Sequence, residues 1–207
     1  MGQLHVGARA IRLTTSRDSQ RLDRQHKGGA ATYQKLKREL GRLASLHSRP
    51  TAWFSTMFDL YRLPNDYPGW HEAQHLRGLS KAVALEKAME VEVDHRRFIP
   101  YIQLHEFEAL LLADIGRFSA YFVEKRHETA IAALAADVAQ AGDPEDINDR
   151  PQTAPSKRII RWLPGYGRGK LAAATAITEA IALPKMRERC PHFDQWVTRL
   201  EQLGKTA

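Results

Sequence analysis

The uncharged stretch Ala52-Trp-Phe-Ser-Thr-Met-Phe58, followed at once by Asp59, decides how this chain is read. It is short, apolar and rich in β-prone residues, which is the pattern of a strand buried inside a sheet. Phe98-Ile-Pro-Tyr-Ile-Gln103 has the same character and predicts a second buried strand. Between the two, Leu63-Pro-Asn-Asp-Tyr-Pro-Gly69 is rich in turn formers, and helix formers dominate from Trp70 to about Val93, with a break at Gly78. Strand, helix and strand in that order argue for an α/β fold with some parallel pairing.

Outward from this centre the pattern is mainly helical. On the N-terminal side, Tyr33, Leu36, Leu40, Leu43 and Leu46 follow helical spacing, and Pro50 stops the run. Ile11 and Leu13 beside Thr14 and Thr15 suggest an edge strand within residues 4–15, and residues 16–29 read as a loop. On the C-terminal side, His105 to Ala113 reads as a helix. Two more helical stretches run from about Phe118 to Ala141 and end at Gly142-Asp-Pro144. Ser156 is placed to cap a short helix, SKRIIRWL, and Gly165-Tyr-Gly-Arg-Gly169 reads as a flexible turn. Helices are expected at about Leu171 to Ala182 and Phe193 to Leu203, the latter with Phe193, Trp196, Val197, Leu200 and Leu203 on one stripe. The expected architecture is a small, partly parallel sheet flanked by helices over residues 1–115, with a helical lobe over 116–207 packed on it as one unit.

The composition fits such a domain. Of 207 residues, 43% are apolar and 27% charged, enough for a core and a wet surface, which excludes a disordered or collagen-like chain. No apolar run approaches the roughly 20 residues of a membrane helix, and no signal peptide is legible. The single cysteine, Cys190, excludes an internal disulfide framework and a cysteine-based zinc site, as in a reducing cytoplasm. The net charge is +7 and uneven. Residues 1–49 hold 11 Lys/Arg against Asp18, Asp23 and Glu39, a net of +8. Such a segment favours a polyanion such as nucleic acid, or is simply a solvated surface. No groove-reading motif accompanies it.

Asp59 falls at the C-terminal end of a predicted buried strand, the edge at which open α/β sheets bind ligands. A carboxylate there suits Mg²⁺ or Mn²⁺, and Asp66 lies in a turn that can fold back toward it. The second strand is followed by Glu106, Glu108 and Asp114, so these acids converge if the strands are neighbours. Phosphoryl transfer uses such a site to hold metal and generate a nucleophile. The structural alternatives are that Asp59 caps the following turn, Asp66 forms an Asx-turn, and Glu106 and Glu108 complement a helix dipole. His71 and His75 share a helix face but lack the HExxH order, and read as surface histidines. Cys190 has no base beside it and reads as buried. Lys157, Arg158, Arg161, Arg168 and Lys170 flank the glycine-rich turn, where they could bind phosphate at a helix N-terminus, although GYGRGK is not a P-loop.

TMFDLYRLPNDYPG (Thr56 to Gly69), FIPYIQLHEFEALLLAD (Phe98 to Asp114), PEDINDRPQTAPSKRII (Pro144 to Ile160), CPHFDQWVTRLEQL (Cys190 to Leu203) and KGGAATYQKLKREL (Lys27 to Leu40) resemble the bacterial domain-of-unknown-function family 4276 over nearly the whole chain. That family is similar to the TOPRIM superfamily, the α/β metal-binding domain of topoisomerases, primases and overcoming-lysogenisation-defect nucleases. The resemblance implies that Asp59 is the first Asp of an Asp-x-Asp metal motif. Tyr61 stands where the second would be, leaving Asp66 as its substitute. Family members usually begin with a strand and Glu-Gly-x-Thr-Glu. This sequence has no such segment, which implies either a start assigned too late or a lost first strand with its catalytic Glu. Three expectations follow. One is a Mg²⁺-dependent nucleic-acid phosphodiesterase, such as a component of a phage-defence system, using Asp59, Asp66 and Glu106 or Glu108. Another is a non-catalytic protein that binds nucleic acid or a genomically neighbouring ATPase. The third is a truncated, inactive homologue.

Overall fold

The computed structural model describes residues 7–11, 13, 31–47, 51–147 and 152–203. The chain forms two compact units, one of residues 1–102 with 200–207, the other of residues 103–199. The edge strand expected within residues 4–15 and the loop of residues 16–29 fall largely or wholly outside the described residues.

In the first unit, helix α1 (Tyr33–Leu46) buries Tyr33 and Leu36 at the head of its leucine stripe, while Leu46 at the other end is exposed. Four two-residue strands follow: β1 (Phe54–Ser55), β2 (Phe58–Asp59), β3 (Phe98–Ile99) and β4 (Ile102–Gln103), the last ending across the boundary of the unit. β1 and β3 are parallel, with Phe54 opposite Phe98 and Ser55 opposite Ile99, and β2 pairs with β4. Helix α2 (Gly78–Val93) lies between the members of the parallel pair, as such a connection requires, and buries Ala82, Leu85 and Met89. It stops at Asp94, whose φ of 44° is left-handed.

Both long strands expected from sequence are thus interrupted, and at the same level. Pro100 has no N–H to give to a ladder. The next residue, Tyr101, turns its backbone to a side chain instead. Its N–H donates to the Thr56 hydroxyl at 3.0 Å, and that hydroxyl donates to the Tyr101 carbonyl at 3.1 Å. Beyond the clasp, the Ile102 N–H donates to Glu86 Oε1 at 2.7 Å. The α/β reading and the mixture of short strands with helices hold. The expected unbroken strands do not.

The second unit is helical. It contains α3 (Glu108–Leu111), α4 (Glu128–Ala141), α5 (Pro155–Trp162), α6 (Gly165–Arg168), α7 (Lys170–Ile181), α8 (Leu183–Arg189) and all but the end of α9 (Pro191–Leu203). Its core gathers Leu104, Leu110, Leu111, Phe118, Leu134, Ile159, Leu163, Tyr166, Ala173 and Ile177, each almost inaccessible to solvent. α7 and α9 lie where their periodicity predicts, with Phe193 and Val197 of the α9 stripe buried. Several other expectations change. The helix predicted from His105 shrinks to α3, because His105 itself is buried with a φ of 63°. Residues 70–75 are turns, 76 and 77 are irregular, and α2 starts only at Gly78. The glycine-rich turn is the helical turn α6, not a flexible loop. α5 starts at Pro155 with Ala154 as its N-cap, so Ser156 lies inside the helix and does not cap it. α8 had no expectation; Pro184 sits in its first turn, where the missing N–H costs no hydrogen bond. Among the described residues, no helix is long and apolar enough to cross a membrane.

Candidate functional site

Asp59 closes β2, half-buried, ahead of a 3-10 turn at Leu60–Arg62. Its side chain makes no capping hydrogen bond to that turn. Asp66 is exposed, and its Oδ2 accepts the N–H of Tyr33 at 2.9 Å, the first residue of α1. The adjoining Tyr67 is buried. Its hydroxyl donates to the Ala31 carbonyl at 2.8 Å, and its ring meets Tyr33 and Phe58 edge-on. Asp66 is therefore a helix-start residue, whatever else it does. Among the described residues, no three Asp, Glu, His or Cys side chains are gathered as a metal cage. Mg²⁺ needs only one or two carboxylates when water and a substrate phosphate complete its shell, and Asp59 with Asp66 suits it only on those terms.

The acids after β4 lie in the second unit. Glu106 Oε2 accepts the Ser156 N–H at 3.0 Å, in the first turn of α5. It does complement a helix dipole, but that of a helix distant in sequence. The anion position of α5 is thereby filled from within. Glu108 is 2% exposed, and its Oε1 accepts the Tyr166 hydroxyl at 3.0 Å and meets Lys170 Nζ at 2.6 Å. Burial, then the Glu108 charge, push the Tyr166 hydroxyl well above the usual tyrosine range. The Arg158 guanidinium meets Asp137 Oδ1 at 2.8 Å, and Trp162 Nε1 donates to Oδ2 of the same carboxylate at 3.3 Å. Two of the five expected phosphate-binding residues, Arg158 and Lys170, therefore hold the unit together. Lys157, Arg161 and Arg168 are exposed, with the Arg161 guanidinium 5.3 Å from the Trp162 ring centre.

Other motifs settle as their structural readings. His71 and His75 are exposed in the turn before α2, and His71 Nδ1 lies 3.0 Å from the Gln74 amide. They sit on no helix. Cys190 is fully buried, and burial followed by the charge of Glu145 pushes its thiol far up. Glu145 itself was not anticipated. It is buried, and its carboxylate accepts the N–H groups of His192 at 2.9 Å and Phe193 at 3.0 Å, in the first turn of α9. Its backbone carbonyl accepts the His105 ring N–H at 2.8 Å. Burial raises its carboxyl above the usual range, against the lowering effect of those two N–H groups. No local signal marks such a residue, since its partners lie 47 and 48 positions away in sequence.

Charge divides by unit. Residues 1–102 with 200–207 carry 18 Lys/Arg against 11 Asp/Glu, a net of +7. Residues 103–199 carry 13 of each, a net of zero. The basic excess thus lies in the unit of Asp59, and not in that of the glycine-rich turn.

A short parallel strand pair joined through a helix, followed by a helical part, places the chain among α/β proteins. Residues 5–201 match the family described as Domain of unknown function (DUF4276), and the chain belongs to that family. No curated protein and no solved structure matches the chain.

Proposed function

We propose that this protein binds nucleic acid, and that its first unit makes the contact. The observation that carries the reading is the charge division: the whole +7 excess sits in one unit, while the other is neutral. In the second unit, Lys170 is paired with Glu108 and Arg158 with Asp137, which leaves less free cationic surface there. Lys/Arg that neutralise phosphates release counterions, so binding must weaken steeply with salt. Affinity for labelled DNA and RNA, measured across a salt series, tests this. The logarithm of affinity falls linearly with the logarithm of salt concentration, with a slope of several units. A chain that shows no affinity at low salt for any nucleic acid refutes the reading.

A second reading is favoured by Asp59. It stands at the carboxyl end of β2, the end at which α/β sheets bind ligands. In this reading the protein is a Mg²⁺- or Mn²⁺-dependent phosphodiesterase of a TOPRIM-like kind, with Asp59 and Asp66 toward the metal. The ion would polarise the phosphate and supply the nucleophile when bound. Asp59 would hold it, and the basic unit would hold the backbone. Calorimetric titration with Mg²⁺ and Mn²⁺, wild type beside Asp59→Ala, separates the readings. Loss of heat in the variant supports the metal site, and no heat in the folded wild type removes it. A neighbouring ATPase as partner is compatible with either reading.

A further inference from the structure

Residues 52–58 were expected to form a buried strand, yet their burial alternates. Thr56 is buried on Tyr101, and the half-buried rings of Phe54 and Phe58 lie edge-on to His95 and Tyr67. The other face of the stretch looks outward. Trp53 and Met57 are each 39% exposed, with exposed Ser55 between them. On extended backbone, side chains two apart share a face at roughly 6.6 Å intervals. Tyr61, 37% exposed, follows in the 3-10 turn, and the Arg62 guanidinium lies 5.8 Å from its ring centre. Single exposed apolar residues need no explanation, but an indole and a thioether on one outward face, with an exposed phenol shortly after them in the chain, do.

Charge identifies the occupant. A purely apolar partner gains nothing from a unit that carries +7, whereas a polyanion does. The polyanion that also offers flat apolar faces is an unpaired nucleic-acid strand; a duplex keeps its base faces stacked inside. We infer that Trp53, Met57 and Tyr61 form a stacking platform for the bases of single-stranded nucleic acid. This rests on the nucleic-acid reading above and names its substrate class. Arg62 adds a cation to the edge of the platform, as stacking sites on single strands do.

The test is fluorescence anisotropy with labelled oligonucleotides of about 20 nucleotides, as oligo-dT, oligo-rU and a duplex, for wild type, Trp53→Ala, Trp53→Phe and Tyr61→Ala. Base-on-aromatic stacking is worth about 1–3 kcal/mol per base, so each alanine variant loses roughly 5- to 150-fold on single strands. Duplex affinity stays within about twofold, because phosphate contacts alone carry it. Trp53→Phe keeps most of the single-strand affinity, which separates stacking from misfolding. Oligo-dT against oligo-rU tells DNA from RNA. If Trp53→Ala binds single strands as wild type does, or loses duplex affinity equally, the inference fails while nucleic-acid binding stands. If sedimentation shows a wild-type dimer that Trp53→Ala dissociates, the face belongs to a second copy and the inference fails. If wild type binds no nucleic acid at all, both readings fail.

Discussion

Replacing Glu145 by Ala tests whether one buried carboxylate holds the start of α9. In the wild type, that carboxylate accepts two N–H groups, at 2.9 and 3.0 Å, from residues that are themselves buried. Alanine leaves both donors without their acceptor. An orphaned buried donor costs about 1–3 kcal/mol, and removing the buried negative charge returns part of that, so the net loss expected is about 2–4 kcal/mol. For a chain of this length, that corresponds to a fall of roughly 4–16 °C in Tm. Urea unfolding followed by circular dichroism measures it, and hydrogen exchange locates it, with the His192 and Phe193 amides losing protection first. The loss also depends on pH. Burial raises the Glu145 carboxyl in the folded chain, so the folded state holds that proton more tightly than the unfolded state does. The contribution of Glu145 is therefore complete below the unfolded value of about 4.5 and declines as pH rises through the higher folded value. The gap between wild type and Glu145→Ala must be wider at pH 4 than at pH 7. A loss under about 1 kcal/mol at both pH values, with protection of the two amides intact, would refute the reasoning.

Three further outcomes are expected. Thr56→Val removes the hydroxyl that serves both polar groups of the buried Tyr101 backbone, and costs about 2–4 kcal/mol in urea unfolding, while Thr56→Ser recovers most of it. Gly69→Ala is destabilising by about 1–3 kcal/mol, because its φ is +74° and an added Cβ would sit 2.7 Å from Ala88 Cβ; a thermal melt matching wild type would contradict this. The Cys190 thiol, pushed up by burial, reacts with iodoacetamide at pH 8 only after denaturant is added, and mass spectrometry of the undenatured chain reads this directly.

What the sequence made legible follows the range of the interactions. α1 and α9 were read correctly, because an apolar stripe at helical spacing is local information. The positions of the strands were legible for the same reason, but not their depth or their interruption. A short apolar run looks alike whether one face or both are covered. The break depends on Pro100, which lacks an N–H, and on Tyr101 meeting Thr56, a residue far away in the chain. The acids show the same limit. Glu106 complements a helix start, as one of its two readings held, but the helix is α5 and not the one it precedes. Lys170 and Arg158 looked like phosphate ligands because the acids that engage them, Glu108 and Asp137, lie far off in sequence. Cys190 was legible as a buried cysteine because the sequence offers it no evident base.

The Thr56–Tyr101 clasp bears on how the first unit is assembled. Strands of two residues hold too few ladder bonds to choose their own alignment. The contacts that fix it join residues 44 and 45 positions apart, through the Ser55 hydroxyl on the Ile99 carbonyl and Thr56 on Tyr101. Closing so long a loop costs entropy before any of these bonds forms. The segment in between must therefore shorten that search, and α2, a helix of 16 residues, is the element able to do so early. On this account the sheet is the last part of the unit to close, and Thr56 acts as the latch that ends a slow search rather than the nucleus that begins it.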